Sequence, residues 1–400
     1  MGAFADTAGR LDELFSRLPV APGRDAPALV VDERRARANI AAMCAKAATA
    51  GVALRPHFKT HQNVGVGRWF REAGVGAATV SSAGMALRFA DDGWNDLLIA
   101  VLADPHDLPR LVPLARRLAA AGGRLGLLVD TPAVARAVTA AMGTCPHDQH
   151  LKVDTGYGRS GIPWDDAPRL AAVAAAATLA GVVTHAGHSY TTPRAGLEAL
   201  YAETASRLAA AAASAGGGLR LSAGDTPTCV AARDLAGVDE VRPGNFVFFD
   251  VMQLAAGVCA AGDLALAAAC PVLAVDAARR RLVLRGGAVH LGKDPARANG
   301  GPAYGCLGTL DAGGFDRVLP QVAVTALTQE HAVVDVPAGA WDELADGLRP
   351  GDLALVFPSH SCLACHGRGH LVTTTGALLP GLAGAGPARD GSLDAGDTCV

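Results

Sequence analysis

Short apolar runs alternate along this chain with Ala-rich stretches whose apolar positions recur at helical spacing. The runs occupy residues 28–32, 52–59, 75–82, 96–103, 124–130, 150–156, 179–188 and 219–224, and stretches such as 33–50, 83–93 and 104–121 separate them. Eight strand–helix units over about 200 residues match a (β/α)8 TIM barrel in number and size. An open doubly wound sheet alternates in the same way, but no G-x-G-x-x-G turn follows the first run. After residue 262 the rhythm changes: 264–274, 281–284, 321–329 and 352–357 read as strands with almost no helical period between them. The expected class is therefore α/β, a barrel over 28–262 followed by a second, mainly β domain over 263–375, with residues 1–27 packing on that domain. Residues 376–400, rich in Gly, Ala, Pro and Asp, read as a poorly ordered tail. The Ala-rich stretches at 171–177 and 209–218 resemble low complexity, but alanine is the best helix former and they fit barrel helices.

Composition narrows the function. Half of the 400 residues are hydrophobic and only 4% are aromatic, so a large core can form from small and aliphatic side chains. A net charge of −3 with no basic run argues against a nucleic-acid partner. No apolar run reaches the roughly 20 residues of a membrane span. The first ten residues lack the basic start and apolar core of a secretory signal. The nine cysteines are odd in number and scattered, which favours a reducing cytoplasm over a disulfide framework.

Five segments carry candidate chemistry. Leu54-Arg55-Pro56-His57-Phe58-Lys59-Thr60-His61 places one lysine where an apolar run ends, the catalytic end of a barrel strand. An amine held there can shed its proton and form a Schiff base, although a solvated lysine has the same spelling. Lys152–Gly161 follows the sixth run with two charged strand residues, a Gly-rich turn and Arg159, and suits an anion or a polarised ring oxygen. His185–Tyr190 ends the seventh run. Ser222–Thr228 ends the eighth, and its small and hydroxylic residues can cradle phosphate, with Asp225 an awkward neighbour for a dianion. Late in the chain, His360 and Cys362 alternate by two and share a face if extended; imidazole plus thiolate suits Zn²⁺. Cys362-Leu363-Ala364-Cys365-His366 also has haem-attachment and C-x-x-C redox spacing, but neither an export signal nor a thioredoxin-like setting accompanies it. A structural zinc on Cys365 and His366 would leave no open position for chemistry.

Taken in order, Arg55–Thr60, Asp154–Gly161, His185–Tyr190, Gly224–Thr228, Arg242–Asp250, Gln329-Glu330-His331 and Pro358–Cys362 resemble one family. It comprises the pyridoxal-phosphate enzymes D-serine dehydratase, D-threo-3-hydroxyaspartate dehydratase and D-threonine aldolase, with an alanine-racemase-like barrel. The resemblance implies that Lys59 carries pyridoxal 5'-phosphate and that Gly224, Asp225 and Thr226 form its phosphate turn. It places Arg159 near the ring oxygen and Tyr190 beside the cofactor, with His360 and Cys362 as the protein ligands of Zn²⁺ or another divalent metal. Asp225 departs from the expected Gly or Ser, and Ala332 stands where a glycine usually follows His331. The implied activity is a lyase reaction, dehydration of a D-3-hydroxy amino acid to a 2-oxo acid and ammonia, with Lys59 as base and the metal as Lewis acid. Aldol cleavage, racemisation and a non-catalytic pyridoxal-phosphate carrier are the alternatives. The resemblance further implies a homodimer.

Overall fold

The computed structural model describes residues 2–18, 25–298 and 301–382. Two large sheets organise them. Eight parallel strands follow one another in the order Ala53–Leu54, Glu240–Val241, Arg220–Ala223, Leu179–Val183, Asp148–Asp154, Arg124–Val129, Asp96–Leu102 and Ala77–Val80. The ends of that row meet where His57 bridges Thr79, with Phe58 N–H donating to Thr79 O (2.8 Å) and Thr79 N–H to Pro56 O (2.9 Å). This closes a barrel with helices outside, the expected fold.

The count of eight holds with one exchange. Ala28–Val31, expected as the first barrel strand, instead pairs antiparallel with Leu266–Asp276 and parallel with His370–Thr373 in the second sheet. The strand it displaces is Glu240–Val241, two residues long, too short for any periodicity. The turns placed after the sixth, seventh and eighth runs therefore follow the fifth, sixth and seventh barrel strands. The turn after the eighth holds Gly244 and Asn245.

The second sheet is mixed but mainly antiparallel, built on Leu266–Asp276 with Gly305–Asp311, Gly314–Leu327, His331–Asp335 and Leu353–Pro358. It also carries the helix Ala338–Gly347, which the strand-dominated reading of this region lacked. Helix Ala3–Ser16 lies on this sheet, where Thr7 Oγ1 accepts from Leu310 N–H at 2.9 Å. The expected unordered tail is corrected at its start: Leu378–Pro380 forms an edge strand against His370–Thr373. Residues 383–400 lie outside the described residues.

Inside the barrel the apolar filling is small, a cluster of Leu98, Leu128 and Val183. The rest is a ladder of polar groups rising toward the C-terminal mouth. Arg55 donates to Asp96 (2.6 Å) and to Glu240 (2.7 Å), Glu240 accepts from Ser222, and Arg242 donates to Ser222 Oγ and Thr184 O. Gly126 and Gly181 make room for His150; a Cβ on Gly181 would lie 3.0 Å from its Nδ1.

One buried carboxylate ties helix Glu33–Thr49 to the second sheet. Asp32 caps helix Glu33–Thr49 through Arg35 N–H and accepts from Phe315 N–H at 3.1 Å. The Arg35 guanidinium, 3.4 Å from Asp32, donates to carbonyls of Ala261, Leu264 and Phe315. Asp32→Ala strands a buried guanidinium and removes a helix cap. It is expected to destabilise the chain by about 3 kcal/mol, read by urea unfolding.

Candidate active site

A cavity of about 610 Å³ opens at the C-terminal mouth of the barrel, where the metal-candidate segment of the second sheet reaches over it. Its wall includes Lys59, Arg159, Tyr190, Gly224, Asp225, His360 and Cys362. Thr226 lies fully buried behind it, hydrogen bonded to the Tyr190 hydroxyl and accepting from Gly244 N–H. All eight candidates thus meet at one place, although they are spread over some 300 positions of sequence.

Local packing explains how each side chain is aimed. Residues alternate in direction at the strand end. Phe58 is buried against Phe70, Phe89 and Trp94 with ring centroids 4.8–5.2 Å away, whereas His57 and Lys59 line the cavity. The Lys59 N–H donates to His57 Nδ1, and burial, then the nearby Lys59, Arg242 and His185, push the His57 imidazole well below its usual pKa. His57 is therefore neutral.

The turn bearing Arg159 is wound around Asp154, which accepts from the N–H groups of Gly156, Tyr157 and Gly158 at 2.8–2.9 Å. Burial opposes the Asp154 charge, but these three donors outweigh it and lower its pKa. Gly161 has a positive φ of 100°, and a Cβ there would lie 2.8 Å from Lys152 O, so only glycine lets the turn close. Arg159 then stacks on Tyr157, 5.2 Å from the ring centre.

His185 sits 2.6 Å from Gly224 O through Nδ1. A carbonyl can only accept, so Nδ1 carries the proton and Nε2 is bare. Burial lowers its pKa to about 3, with Lys59, Lys152 and Arg159 adding to the shift. The Asp225 carboxylate accepts from Thr228 N–H and Oγ1–H at 2.8 and 2.7 Å, capping the short helix Thr226–Ala231. Ser189 also hydrogen bonds to this carboxyl, and burial raises its pKa, so it is held by its own turn and the His185–Tyr190 segment with its charge disfavoured.

The metal-candidate pair is held from the barrel side. Ser361 N–H donates to the buried Asp250 carboxylate at 3.0 Å, and Asp250 also accepts from Asn245 Nδ2. Cys362 hydrogen bonds Thr60 Oγ1 (3.3 Å) and the His360 imidazole. Burial opposes the thiolate, but His360, Lys59 and Thr60 together lower the Cys362 pKa. Among the described residues no three His, Cys, Asp or Glu side chains converge as a metal cage.

Several wall residues receive no individual role from the sequence: His57, Arg242, Gly244, Asn245 and Asp294, while Lys152 enters there only as a charged strand residue of an anion-holding segment. Arg242, Gly244 and Asn245 stand in the Arg-Pro-Gly-Asn motif, whose strand is too short to announce itself. Asp294 has no local signal at all.

Both implied groups fit these residues. Burial, then Arg242 and Arg159, pushes the Lys152 amine down to about 7, and burial pushes Arg242 down to about 10. A cavity that penalises its own cations is built for an anion such as a phosphate ester. Gly224 and Gly244 let the strand ends at this mouth pack closely on one another: a Cβ would lie 2.8 Å from Arg242 and 2.6 Å from His57 O, respectively. For the metal, imidazole and thiolate form a borderline-soft donor pair, and Asn245 Oδ1 beside them is a buried acceptor without a partner.

The Lys152 shift has a measurable consequence in cofactor-free protein. Between pH 7 and the unfolded lysine value of 10.5 the unfolded chain holds one more proton than the folded chain, so stability rises with pH in that window. Lys152→Met is expected to remove about 2 kcal/mol of the gain between pH 7 and 9, read by urea unfolding at both values.

A closed parallel barrel with a lysine at one strand end, facing a polar mouth covered by a β domain, defines an enzyme of the alanine racemase fold class. Residues 31–251 match the family model "Alanine racemase, N-terminal domain" and residues 265–374 match "Putative serine dehydratase domain". The chain belongs to the serine dehydratase family of pyridoxal-phosphate-dependent lyases, built on an alanine-racemase-like barrel. D-threo-3-hydroxyaspartate dehydratase of Delftia sp. (strain HT23) is 37% identical over 353 residues, 84% of this chain and 91% of that protein. Its solved structure has a TM-score of 0.78 at 32% identity, covering 89% of this chain and 96% of the other. A cysteine-to-alanine mutant of that enzyme, solved in a metal-free form, has the same TM-score and identity over 88% and 96% of the two chains. D-serine dehydratase of Dictyostelium discoideum is 26% identical over 304 residues, 67% of this chain and 74% of that protein.

Proposed function

We propose that this chain dehydrates a D-3-hydroxy amino acid, such as D-serine or D-threo-3-hydroxyaspartate, to a 2-oxo acid and ammonia, using pyridoxal 5'-phosphate and Zn²⁺. The observation that carries the reading is the convergence of Lys59 with His360 and Cys362 across one cavity, close enough for Lys59 to bias the thiol.

Lys59 would hold the cofactor, with the backbone of Gly224, Asp225 and Thr226 at its phosphate, Arg159 at its ring oxygen and Tyr190 alongside. When bound, pyridoxal phosphate supplies an electron sink for the Cα carbanion, and Zn²⁺ on His360 and Cys362 supplies a Lewis acid for the departing hydroxyl. The Lys59 amine takes the α-proton. Tyr190 is anchored by its bond to Thr226, and burial, then Cys362 and the carboxylates of Asp225 and Asp250, hold its phenol protonated. The neutral His185, its Nδ1–H on Gly224 O, adds no charge next to Lys59. A metal held only by His360 and Cys362 would keep room for oxygen atoms of the substrate. Loss of the α-proton and the β-hydroxyl amounts to loss of water, and the resulting enamine hydrolyses to the 2-oxo acid and ammonia.

The reading is supported by relatives named D-threo-3-hydroxyaspartate dehydratase and D-serine dehydratase. Its test is product analysis from D-serine, D-threonine and D-threo-3-hydroxyaspartate, with EDTA and with zinc restored. A 2-oxo acid plus ammonia, lost with EDTA and recovered with zinc, is the expected result. Glycine plus an aldehyde would make the chain an aldolase, and interconversion of enantiomers without ammonia a racemase.

A further inference from the structure

We infer that Asp294 is a positioning residue for the metal: it fixes the His360 imidazole so that Nε2, and not Nδ1, is the nitrogen offered as a ligand. The inference rests on the proposed zinc pair and adds a residue that no sequence motif marks.

Asp294 Oδ2 lies 2.9 Å from His360 Nδ1. An ionised carboxylate only accepts, so Nδ1 bears a proton in either charge state of the ring, and Nε2 is the nitrogen that can give up its proton to a metal. Metal-bound histidines gain orientation and basicity when their second nitrogen donates in this way. The contact joins remote parts of the chain, 66 positions apart in sequence.

Asp294 is itself held in place. Ser359, fully buried, donates through Oγ to the Asp294 backbone carbonyl, while its own carbonyl accepts from Met252 N–H at 3.1 Å. The carboxylate and the imidazole are thus anchored from two adjacent residues of one segment. Upstream, Gly292 turns the chain at φ 80° directly over Leu363; a Cβ there would lie 2.7 Å from the Leu363 side chain. The segment carrying Asp294 therefore packs against the short helix that carries Cys362. Half of the Asp294 side chain stays exposed to the cavity mouth, so its fixed position comes from these backbone anchors and not from burial.

The test uses the full chain with pyridoxal phosphate bound, stripped of metal and titrated with Zn²⁺ against a chromophoric chelator. Asp294→Ala is expected to weaken Zn²⁺ binding by about tenfold or more. Asp294→Asn keeps an oxygen that accepts Nδ1–H and is expected to recover most of that loss. Two-bond ¹H–¹⁵N spectra of histidine-labelled, zinc-loaded protein should show His360 protonated on Nδ1 in the wild type and in the Asn variant, and not uniquely so in the Ala variant. Zinc affinity of the Ala variant within about threefold of wild type would overturn the inference. So would an Asn variant as weak as the Ala variant, since the carboxylate would then act as a direct ligand or through charge. Circular dichroism of both variants separates these outcomes from misfolding. If the wild type binds no Zn²⁺ and His360→Ala changes nothing, the zinc reading itself fails, which is a different result.

Discussion

Lys59→Ala is expected to lower turnover by at least about 10³-fold, because it removes both the covalent anchor of the cofactor and the base for the α-proton. Two lysines line the cavity, and they differ in setting. Lys59 follows a strand end and lies close enough to Cys362 to lower its pKa, whereas Lys152 is buried beside Arg242 and Arg159 and pushed to about 7. A deprotonated amine at Lys152 is thus a real rival for the cofactor's aldehyde. Borohydride reduction followed by peptide mass mapping distinguishes them. The pyridoxyl mass is expected on Lys59 in the wild type and on no lysine in the Ala variant. A label on Lys152, or an active Lys59→Ala enzyme, would transfer the role and dismantle the reading given above.

Cys362→Ala is expected to separate the two halves of the reaction. Lewis-acid assistance to a leaving hydroxyl is worth several kcal/mol, and about 4 kcal/mol corresponds to about 10³-fold in rate. Formation of 2-oxo acid should fall by about that factor. Exchange of the substrate α-hydrogen with deuterium in heavy water should stay within about tenfold of wild type, because Lys59 and the cation-rich wall are untouched. Both are read from one reaction by NMR. Equal loss of exchange and elimination would mean that Cys362 serves the lysine or the cofactor; unchanged elimination would remove the metal from the mechanism. Asp250, through Ser361, and Thr60, through the thiol, hold Cys362 in place, so milder versions of the same split are expected at those positions.

What the residues alone determined is the architecture and the chemical parts. Alternating apolar runs and helical stretches specify a barrel because each strand must be covered by its own helix, and that pattern survives in a single sequence. The lysine at a strand end, the glycine-rich turn before Arg159, the small residues after Ser222 and the His-x-Cys pair are likewise local spellings, and all eight candidates gathered at one mouth. Tertiary structure decided the rest. Whether Ala28–Val31 joined the barrel or the β domain depended on a pairing with Leu266–Asp276 more than 230 positions away, which no local period encodes. Glu240–Val241 is a strand only because its neighbours on both sides pair with it. The protonation states of His57, His185 and Lys152 follow from burial among cations brought from several strands, and the tautomer of His360 follows from Asp294. Such properties belong to distances between remote side chains, and these distances exist only once the barrel closes and the second sheet reaches over its mouth.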